Sequence, residues 1–216
     1  MTRGASRITL PTRDAELELH AQGYLHVAGI DEVGRGPLAG PVIAAAVVFP
    51  LELTLQQSEL AIIRDSKALT ARQRDRADVI VRQVALGIGI GEVPAEEIDL
   101  IGIAPSTRRA MTLAIEALPQ PPDHLLIDAL QLSWRNKPST SIIKGDMLCT
   151  AIAAASIIAK VYRDALMVEM DTLYPGYGFA GHKGYGSSGH LQALLELGPT
   201  PIHRYSFRPL RSLLKA

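Results

Sequence analysis

The chain has 216 residues and a formal net charge of zero, with 22 basic and 22 acidic side chains. With 47% hydrophobic and 20% charged residues, its composition argues against a disordered or fibrous protein. The longest apolar stretches, 42–48 and 151–159, are shorter than the roughly 18 to 20 residues of a membrane span. We therefore expect one globular core and no transmembrane segment.

Two features of the sequence predict the compartment. Residues 1–20 mix basic and acidic side chains, whereas a secretory signal runs from a basic start into an apolar core. The one cysteine, Cys149, cannot form an internal disulfide and excludes a cysteine-rich zinc motif. We expect a cytoplasmic protein.

Apolar runs alternate with helix-favouring stretches along the chain. Strands are predicted over 25–31, 41–49, 84–93, 124–130 and 140–144. Helices are predicted over 55–64, 71–84, 95–100, 106–118, 146–174 and 188–197. Thr70 and Ser106 are the predicted N-caps of the second and fourth helices. The alternation predicts an α/β sheet with helices on both faces.

The charges are unevenly distributed although they sum to zero. Residues 1–100 carry 10 basic and 14 acidic side chains, which leaves 12 and 8 for the remainder. From Thr172 onward only Glu196 opposes a set of basic residues, which are Lys183, Arg204, Arg208, Arg211 and Lys215. Such a basic end indicates either an anionic partner or ordinary solvated surface charge.

Four acidic residues lie where predicted strands end, namely Asp31, Glu32, Asp128 and Asp146. In an open α/β sheet, ligands bind at the carboxyl ends of strands, so we expect these acids to converge. Neighbouring strand residues point to opposite faces. Asp31 and Glu32 can therefore share a site only if the strand ends between them, an ending that Gly34 and Gly36 favour.

Grouped carboxylates repel one another unless a cation neutralises them. Magnesium or manganese suits oxygen ligands, whereas zinc prefers cysteine and histidine. Two such ions about 4 Å apart catalyse in-line phosphoryl displacement. The acids therefore indicate phosphodiester hydrolysis, against the alternative that each one merely caps a helix or solvates a strand end.

Asp164 lies on the predicted long helix but outside this group. It follows Asp146 by 18 residues, or five turns, which places it about 27 Å away. We expect Lys160, Arg163 and Asp164 to form ion pairs or to pack.

Six blocks of the sequence form a series. They are GIDEVGRGPLAGPV at 29–42, DSKALT at 65–70, IIKGD at 142–146, IAAASIIAKVYRD at 152–164, HKGYG at 182–186 and GHLQALLELGPTPIHRYSF at 189–207. In this order they resemble the blocks of bacterial ribonuclease HII. The resemblance runs from about residue 24 to 211, and the set is far more specific than any single block.

The resemblance implies a ribonuclease H-like fold, with a mixed central sheet flanked by helices and a small C-terminal helical or loop element. We predict an N-terminal extension over 1–20, a catalytic domain over 21–171 and a basic element over 172–216 that completes the substrate cleft. The implied activity is endonucleolytic hydrolysis of RNA in RNA/DNA hybrids and incision of duplex DNA 5′ of an embedded ribonucleotide, leaving 3′-OH and 5′-phosphate ends. This activity serves ribonucleotide removal from DNA and primer removal.

The resemblance also assigns roles to single residues. It implies a catalytic set that holds two Mg²⁺ or Mn²⁺ ions, formed by Asp31, Glu32, Asp128 and Asp146. The Gly34-Arg35-Gly36 loop resembles the segment that reads the ribonucleotide 2′-OH through its backbone, because glycine permits close approach. Tyr185 resembles the tyrosine that packs on the next deoxynucleotide sugar, the alternative being an aromatic that packs on its own domain. Lys67 and Lys183 are either phosphate contacts or solvated lysines.

Three positions depart from the family's pattern. The family commonly has glycine where this chain has Ala129, serine where it has Cys149, and an asparagine near Gly102. Ala129 and Cys149 are small, so we expect tuned activity, with Cys149 a core residue. Gly102 has no side chain that could take the place of the asparagine amide.

Two other functions stay open from the sequence: a non-catalytic relative that grips hybrids, and another metal-dependent phosphohydrolase on the same fold. We expect a monomer whose partners are RNA/DNA hybrid and ribonucleotide-containing duplex DNA, with no membrane contact; a replication-clamp contact is undetermined. Two bound divalent ions would cancel the four negative charges of the acids and leave the protein net positive. Zero net charge is therefore compatible with nucleic-acid binding.

Overall fold

A five-stranded mixed sheet forms the centre of the fold. The structure is a computed structural model that describes residues 10–53 and 61–213. The strands are β1 (Val27–Val33), β2 (Val42–Val48), β3 (Gly87–Val93), β4 (His124–Asp128) and β5 (Ser139–Ile142). They lie in the order β3-β2-β1-β4-β5, with β2 antiparallel to both of its neighbours and β4 parallel to both of its own. The predicted mixed sheet is confirmed.

Helices cover both faces of this sheet. In the described residues they are α1 (Asp14–Ala21), α2 (Ala71–Val84), α3 (Ala95–Ile101), α4 (Ile103–Glu116), α5 (Gly145–Leu148), α6 (Thr150–Leu173), α7 (Phe179–His182), α8 (Ser188–Leu197) and α9 (Leu210–Leu213), with a 3₁₀ turn over Ser66–Ala68. The predicted helix over 55–64 falls mostly outside the described residues, and 61–64 form turns and bends. Within 10–53 and 61–213, no helix combines the length and apolarity needed to cross a bilayer.

Strand β2 contributes side chains to two separate cores, because alternate residues of a strand face opposite sides. Ile43, Ala45 and Val47 lie in the core formed with α2 and α6. Ala44 and Ala46 lie in the core formed with α4. All of β2 is buried, as expected for a central strand covered on both faces.

The long helix α6 lies directly on β1. Gly29 permits this approach, because a Cβ at that position would lie 2.2 Å from the carbonyl carbon of Ala151. The contact fixes α6 against the strand that carries Asp31.

The predicted continuous helix over 146–174 is wrong near its start. Helix α5 ends at Leu148, Cys149 is extended with φ −119° and ψ 124°, and α6 begins at Thr150. Thr12 accounts for the break through backbone pairing. Its N–H donates to the Leu148 carbonyl at 3.0 Å, and its carbonyl accepts from the Thr150 N–H at 2.9 Å.

Helix α4 begins at Ile103, earlier than the predicted start at Ser106. Pro105 fits in the first turn because the missing N–H has no intrahelical partner there. Ser106 is not a cap, since its hydroxyl donates to the carbonyl of Gly102 at 2.8 Å.

A third core joins the C-terminal residues to the loop after β1. Leu38 and Ala39 lie in it with Phe179, Leu194 and Leu210. The predicted boundary at residue 171 falls inside α6, so this helix belongs to both predicted units.

Candidate active site

Asp31 and Asp128 are neighbours on adjacent parallel strands. Strands β1 and β4 are paired up to the residue before each aspartate. Asp146 approaches from α5, which follows β5, the strand next to β4. The N–H of Gly145 donates to Oδ1 of Asp128 at 2.7 Å and ties α5 to the end of β4. The structure thus brings these three acids to one edge of the sheet.

Glu32 reaches this edge from the other face of β1. The strand continues beyond Glu32, so the expectation that it ends between Asp31 and Glu32 is wrong. Asp31 is paired with Ala45 in the core beside α6, and Glu32 is paired with Ala44 in the core beside α4. Burial raises the pKa of the Asp31 and Glu32 carboxyl groups, and the charge of Asp128 raises both further. Asp128 therefore interacts electrostatically with an acid on each face of β1.

Two of the four carboxyl groups at this edge are buried, the other two are partly buried, and the four repel one another. Asp31 is 3% exposed and Asp146 is 6% exposed. Burial raises the pKa of Asp31 well above its usual value, and the charges of Glu32 and Asp128 raise it further. Burial and the charge of Asp146 likewise raise the pKa of Asp128, against a backbone hydrogen bond from Gly145 that lowers it. Ionising the whole group together requires a compensating cation.

The donor set fits a hard divalent cation. All four predicted ligands offer carboxylate oxygens, and Oε2 of Glu32 is buried without a hydrogen-bond partner in the described part of the chain. Over 10–53 and 61–213, no three Asp, Glu, His or Cys side chains stand together as a ready coordination sphere.

Two buried serines support Asp31. Ser66 Oγ, in the 3₁₀ turn, lies 2.9 Å from Ser156 Oγ of α6. Against the effect of burial, a hydrogen bond from the Ser156 side chain lowers the pKa of Asp31. The DSKALT and IAAASIIAKVYRD blocks therefore meet behind this aspartate.

Lys67 brings a positive charge to the acid edge. Its Nζ donates to Oδ2 of Asp146 at 3.3 Å, while its side chain is 77% exposed. The carboxylate of Asp65 caps the 3₁₀ turn by accepting from the Lys67 backbone N–H at 2.9 Å. The ammonium therefore faces both Asp146 and the solvent.

The Gly34-Arg35-Gly36 loop connects the acids to Tyr185. The guanidinium of Arg35 donates to Oε1 of Glu32 at 3.1 Å. A Cβ on Gly36 would lie 3.6 Å from the ring of Tyr185, which is 48% exposed. The predicted substrate residues on these two segments are therefore adjacent in space.

Lys183 is engaged within its own loop. Its backbone has φ +52°, and its ammonium donates to the carbonyl of Ala180. Its own carbonyl accepts from Nη1 of Arg163 at 2.9 Å.

Sequence reasoning missed Arg204 and underestimated Arg163. Both side chains are fully buried beneath the glycine loop. The expected ion pair of Lys160 with Asp164 is present at 2.7 Å, and Asp164 also lies 3.9 Å from Arg74. In the sequence, Arg204 stood out only as a member of the basic C-terminal set and of the GHLQALLELGPTPIHRYSF block.

The three residues that depart from the family's pattern differ in conformation and burial. Ala129 has φ +47°, the left-handed region that favours glycine. Cys149 is 1% exposed, which confirms it as a core residue, and its Sγ lies 3.6 Å from Oε2 of Glu16. Gly102 links α3 to α4 with φ +84°.

A mixed five-stranded sheet flanked by helices, with acidic residues gathered at one edge, is the architecture of the ribonuclease H-like class. Residues 28–209 match the family model described as Ribonuclease HII. A Ribonuclease HII from Chloroflexus aurantiacus is 50% identical over 201 residues, which are 93% of this chain and 95% of that protein. The chain belongs to the ribonuclease HII family. It is therefore a type 2 ribonuclease H, an endoribonuclease of RNA/DNA hybrids.

Two solved structures share the fold. The ribonuclease H2 from Pyrococcus horikoshii has a TM-score of 0.73 at 24% identity, over 88% of this chain and 97% of that one. Bst-RNase HIII, solved in complex with Mn²⁺, has a TM-score of 0.61 at 19% identity, over 98% of this chain and 76% of that one. These likenesses support the ribonuclease H-like fold.

Proposed function

We propose that this ribonuclease, besides acting on hybrids, incises duplex DNA on the 5′ side of an embedded ribonucleotide and leaves 3′-OH and 5′-phosphate ends. The observation that carries the proposal is the adjacency of Asp31 and Asp128 on β1 and β4, with Asp146 tied to them through Gly145. Such an activity serves removal of ribonucleotides from DNA and removal of RNA primers.

Four carboxylates are the proposed metal ligands, namely Asp31, Glu32, Asp128 and Asp146. Two divalent ions bound there would activate a water molecule and stabilise the leaving oxygen. Burial, mutual repulsion and the unpartnered Oε2 of Glu32 support this assignment. The family depends on divalent metal ions, and the Mn²⁺ complex of Bst-RNase HIII makes Mn²⁺ a natural choice beside Mg²⁺.

Other residues of the chain are proposed to orient the substrate. Lys67 beside Asp146 is placed to contact a phosphate oxygen. The Gly34-Arg35-Gly36 backbone, with glycine at both ends, can approach a 2′-OH closely. The exposed ring of Tyr185 is available to pack on the following sugar. Lys183 would have to leave the carbonyl of Ala180 to reach a phosphate.

The alternatives predict different use of these residues. A non-catalytic hybrid binder gains nothing from buried carboxylates that repel one another. A phosphohydrolase indifferent to the 2′-OH has no need of a glycine loop beside Tyr185. The set present in this chain therefore supports ribonucleotide-directed hydrolysis.

The test compares two duplexes that differ only in one ribonucleotide, each with Mg²⁺ or Mn²⁺. We expect a single incision 5′ of the ribonucleotide and none in the all-DNA duplex. Folded protein that leaves both duplexes intact in both metals contradicts the proposal. Equal cleavage of both duplexes would point to a general phosphodiesterase.

A further inference from the structure

Two arginines are completely buried behind the glycine loop. Arg163 of α6 and Arg204 of the C-terminal residues are each 0% exposed and are among the largest fully buried side chains. Neither forms an ion pair with a carboxylate in the described ranges. Burial lowers the pKa of both guanidinium groups, and the charge of Arg163 lowers that of Arg204 further.

Arg204 bonds the carbonyl oxygens at both ends of the loop. Its Nη2 donates to the Gly34 carbonyl at 2.6 Å and to the Gly40 carbonyl at 2.8 Å. Its Nη1 donates to the Arg35 carbonyl at 3.1 Å, and its Nε donates to Gly40 at 2.9 Å. One side chain thus fixes the orientation of three peptide groups.

Arg163 joins this loop to the segment that precedes Tyr185. Its Nε donates to the Pro41 carbonyl at 3.0 Å and its Nη2 to the Ala39 carbonyl at 3.1 Å. Its Nη1 donates to the Lys183 carbonyl at 2.9 Å. Gly34 lies directly on this guanidinium, since a Cβ there would be 2.3 Å from Nε of Arg163.

Because a peptide group is planar, the hydrogen bonds that fix the carbonyl groups of Gly34 and Arg35 also orient the N–H groups of Arg35 and Gly36. The carbonyl of Gly34 and the N–H of Arg35 belong to one planar trans peptide and point in opposite directions. The same holds for the carbonyl of Arg35 and the N–H of Gly36. With both carbonyls turned inward to Arg204, both N–H groups point away from it. Neither N–H donates a hydrogen bond within the part of the chain that the structure describes.

A gain in folding stability does not by itself explain why Arg163 and Arg204 are buried without a carboxylate partner. Burying a cation without an anionic partner is unfavourable, and apolar replacement of buried charges is often neutral or stabilising. A forked guanidinium can, however, hold several carbonyl groups in fixed directions, which a lysine ammonium cannot do as rigidly.

We propose that Arg204 and Arg163 are positioning residues for ribonucleotide recognition. Arg204 presents the N–H groups of Arg35 and Gly36 to the 2′-oxygen. Arg163 sets the distance between these two N–H groups and Tyr185. The proposal rests on the proposed function, because it concerns the same substrate.

The experiment compares Arg204→Lys and Arg163→Lys with Arg76→Lys, which changes an exposed arginine on α2. Binding is measured in Ca²⁺, in place of the catalytic ion, for a duplex with one ribonucleotide and for its all-DNA counterpart. For Arg204→Lys we expect kcat to fall about 10- to 100-fold and the preference for the ribonucleotide to approach one. Affinity for the all-DNA duplex should change by less than about twofold, because phosphate contacts dominate it. Because Tyr185 is proposed to pack on the deoxynucleotide sugar that follows the ribonucleotide, the wild-type protein should prefer this RNA-to-DNA junction to a third duplex with continuous RNA. Arg163→Lys should retain the ribonucleotide preference and lose this junction preference.

Several outcomes overturn the proposal. One is a folded Arg204→Lys variant with unchanged kcat and unchanged ribonucleotide preference. Another is a parallel loss of kcat and all-DNA affinity that follows the loss of thermal stability, which indicates a structural role. If Arg204→Lys does not fold, Arg163→Lys alone decides, and an unchanged junction preference contradicts the proposal. If the wild-type protein and Arg76→Lys do not incise the ribonucleotide duplex, the proposed function fails first and separately.

Discussion

The ammonium of Lys67 lies 3.3 Å from the carboxylate of Asp146, so a protein cation occupies the neighbourhood of a proposed metal ligand. Although partial burial lowers the pKa of Lys67, the charges of Asp146, Asp31 and Asp65 outweigh it and raise the pKa. Lys67 therefore stays protonated at neutral pH and would compete electrostatically with a divalent ion bound beside Asp146.

Lys67→Met should accordingly separate metal binding from turnover. Affinity for Mg²⁺ without nucleic acid should rise, because a competing charge is removed, while kcat should fall roughly tenfold with the loss of a phosphate contact. Calorimetric metal titration and single-turnover incision measure the two effects. Lys137→Met, which removes an ammonium beside Asp123 and not beside a proposed metal ligand, is the control. Weaker metal binding in Lys67→Met would contradict this account of the pair.

Asp31→Asn should remove activity without removing stability. Because the folded pKa of Asp31 is raised, its ionisation destabilises the metal-free fold as pH rises. The amide should raise the unfolding free energy at pH 7.5 and abolish stabilisation by Mn²⁺. Thermal unfolding with and without Mn²⁺ tests this, with the exposed Asp75→Asn as control. A destabilised variant that still gains stability from Mn²⁺ would exclude Asp31 as a ligand.

A histidine pair makes the C-terminal residues sensitive to acid. His190 Nε2 lies 3.0 Å from His203 Nε2, and Nδ1 of His203 accepts the backbone N–H of Thr200 at 2.9 Å. His203 therefore carries its proton on Nε2 and donates it to His190, whose Nδ1 donates to the carbonyl of Tyr185 at 2.9 Å. This series of hydrogen bonds requires both imidazole rings to be neutral.

Burial and the neighbouring ring lower the pKa of His203 to about 4, and burial lowers that of His190. The unfolded chain then binds more protons than the folded one below pH 6.5, so stability is lost as pH falls from about 6.5 toward 4. For His203 the loss is about 3 kcal/mol across this window. Denaturant unfolding between pH 7.5 and 4.5 should show a shallower pH dependence in His203→Gln than in wild type or in His20→Gln. The same pH dependence of the unfolding free energy in His203→Gln and wild type would rule out a neutral histidine pair.

Ala129→Gly should stabilise the protein. An alanine at φ +47° is strained by about 1 kcal/mol relative to glycine. Ala165→Gly, at an exposed position of α6, should do the reverse and destabilise by about 1 kcal/mol. Both are read from thermal unfolding at pH 7.5. A destabilising Ala129→Gly would show that the left-handed conformation is not a source of strain.

The acids were predictable because their signal is local. Each of these acids lies at the end of an apolar run or just after it, and parallel strands place their carboxyl ends at one edge, so the convergence of Asp31 and Asp128 follows from the pattern. The continuation of β1 beyond Glu32 did not follow, because pairing with β2 extends the strand.

Features that depend on distant partners were not predictable. The break at Cys149 depends on Thr12, which lies far away in the sequence, and local propensity alone favours an unbroken helix. Arg204 looked like one more residue of a basic tail, yet its guanidinium is buried against Gly34 and Gly40. A charged side chain gives no sign in the sequence that it will be buried against carbonyl oxygens.

The carboxylates at the ends of β1 and β4 and on α5 are proposed to hold the metal ions that would promote hydrolysis of a phosphodiester beside a ribonucleotide by water. The most direct measurement is the incision rate of a duplex with one ribonucleotide in Mn²⁺, for wild type, Asp31→Asn, Asp128→Asn and Asp146→Asn. Wild type should cut 5′ of the ribonucleotide, and each variant should be slower by about 10³-fold or more while staying folded. Near-normal rates in any of these folded variants would contradict the assignment of that residue, and near-normal rates in all three would contradict the site.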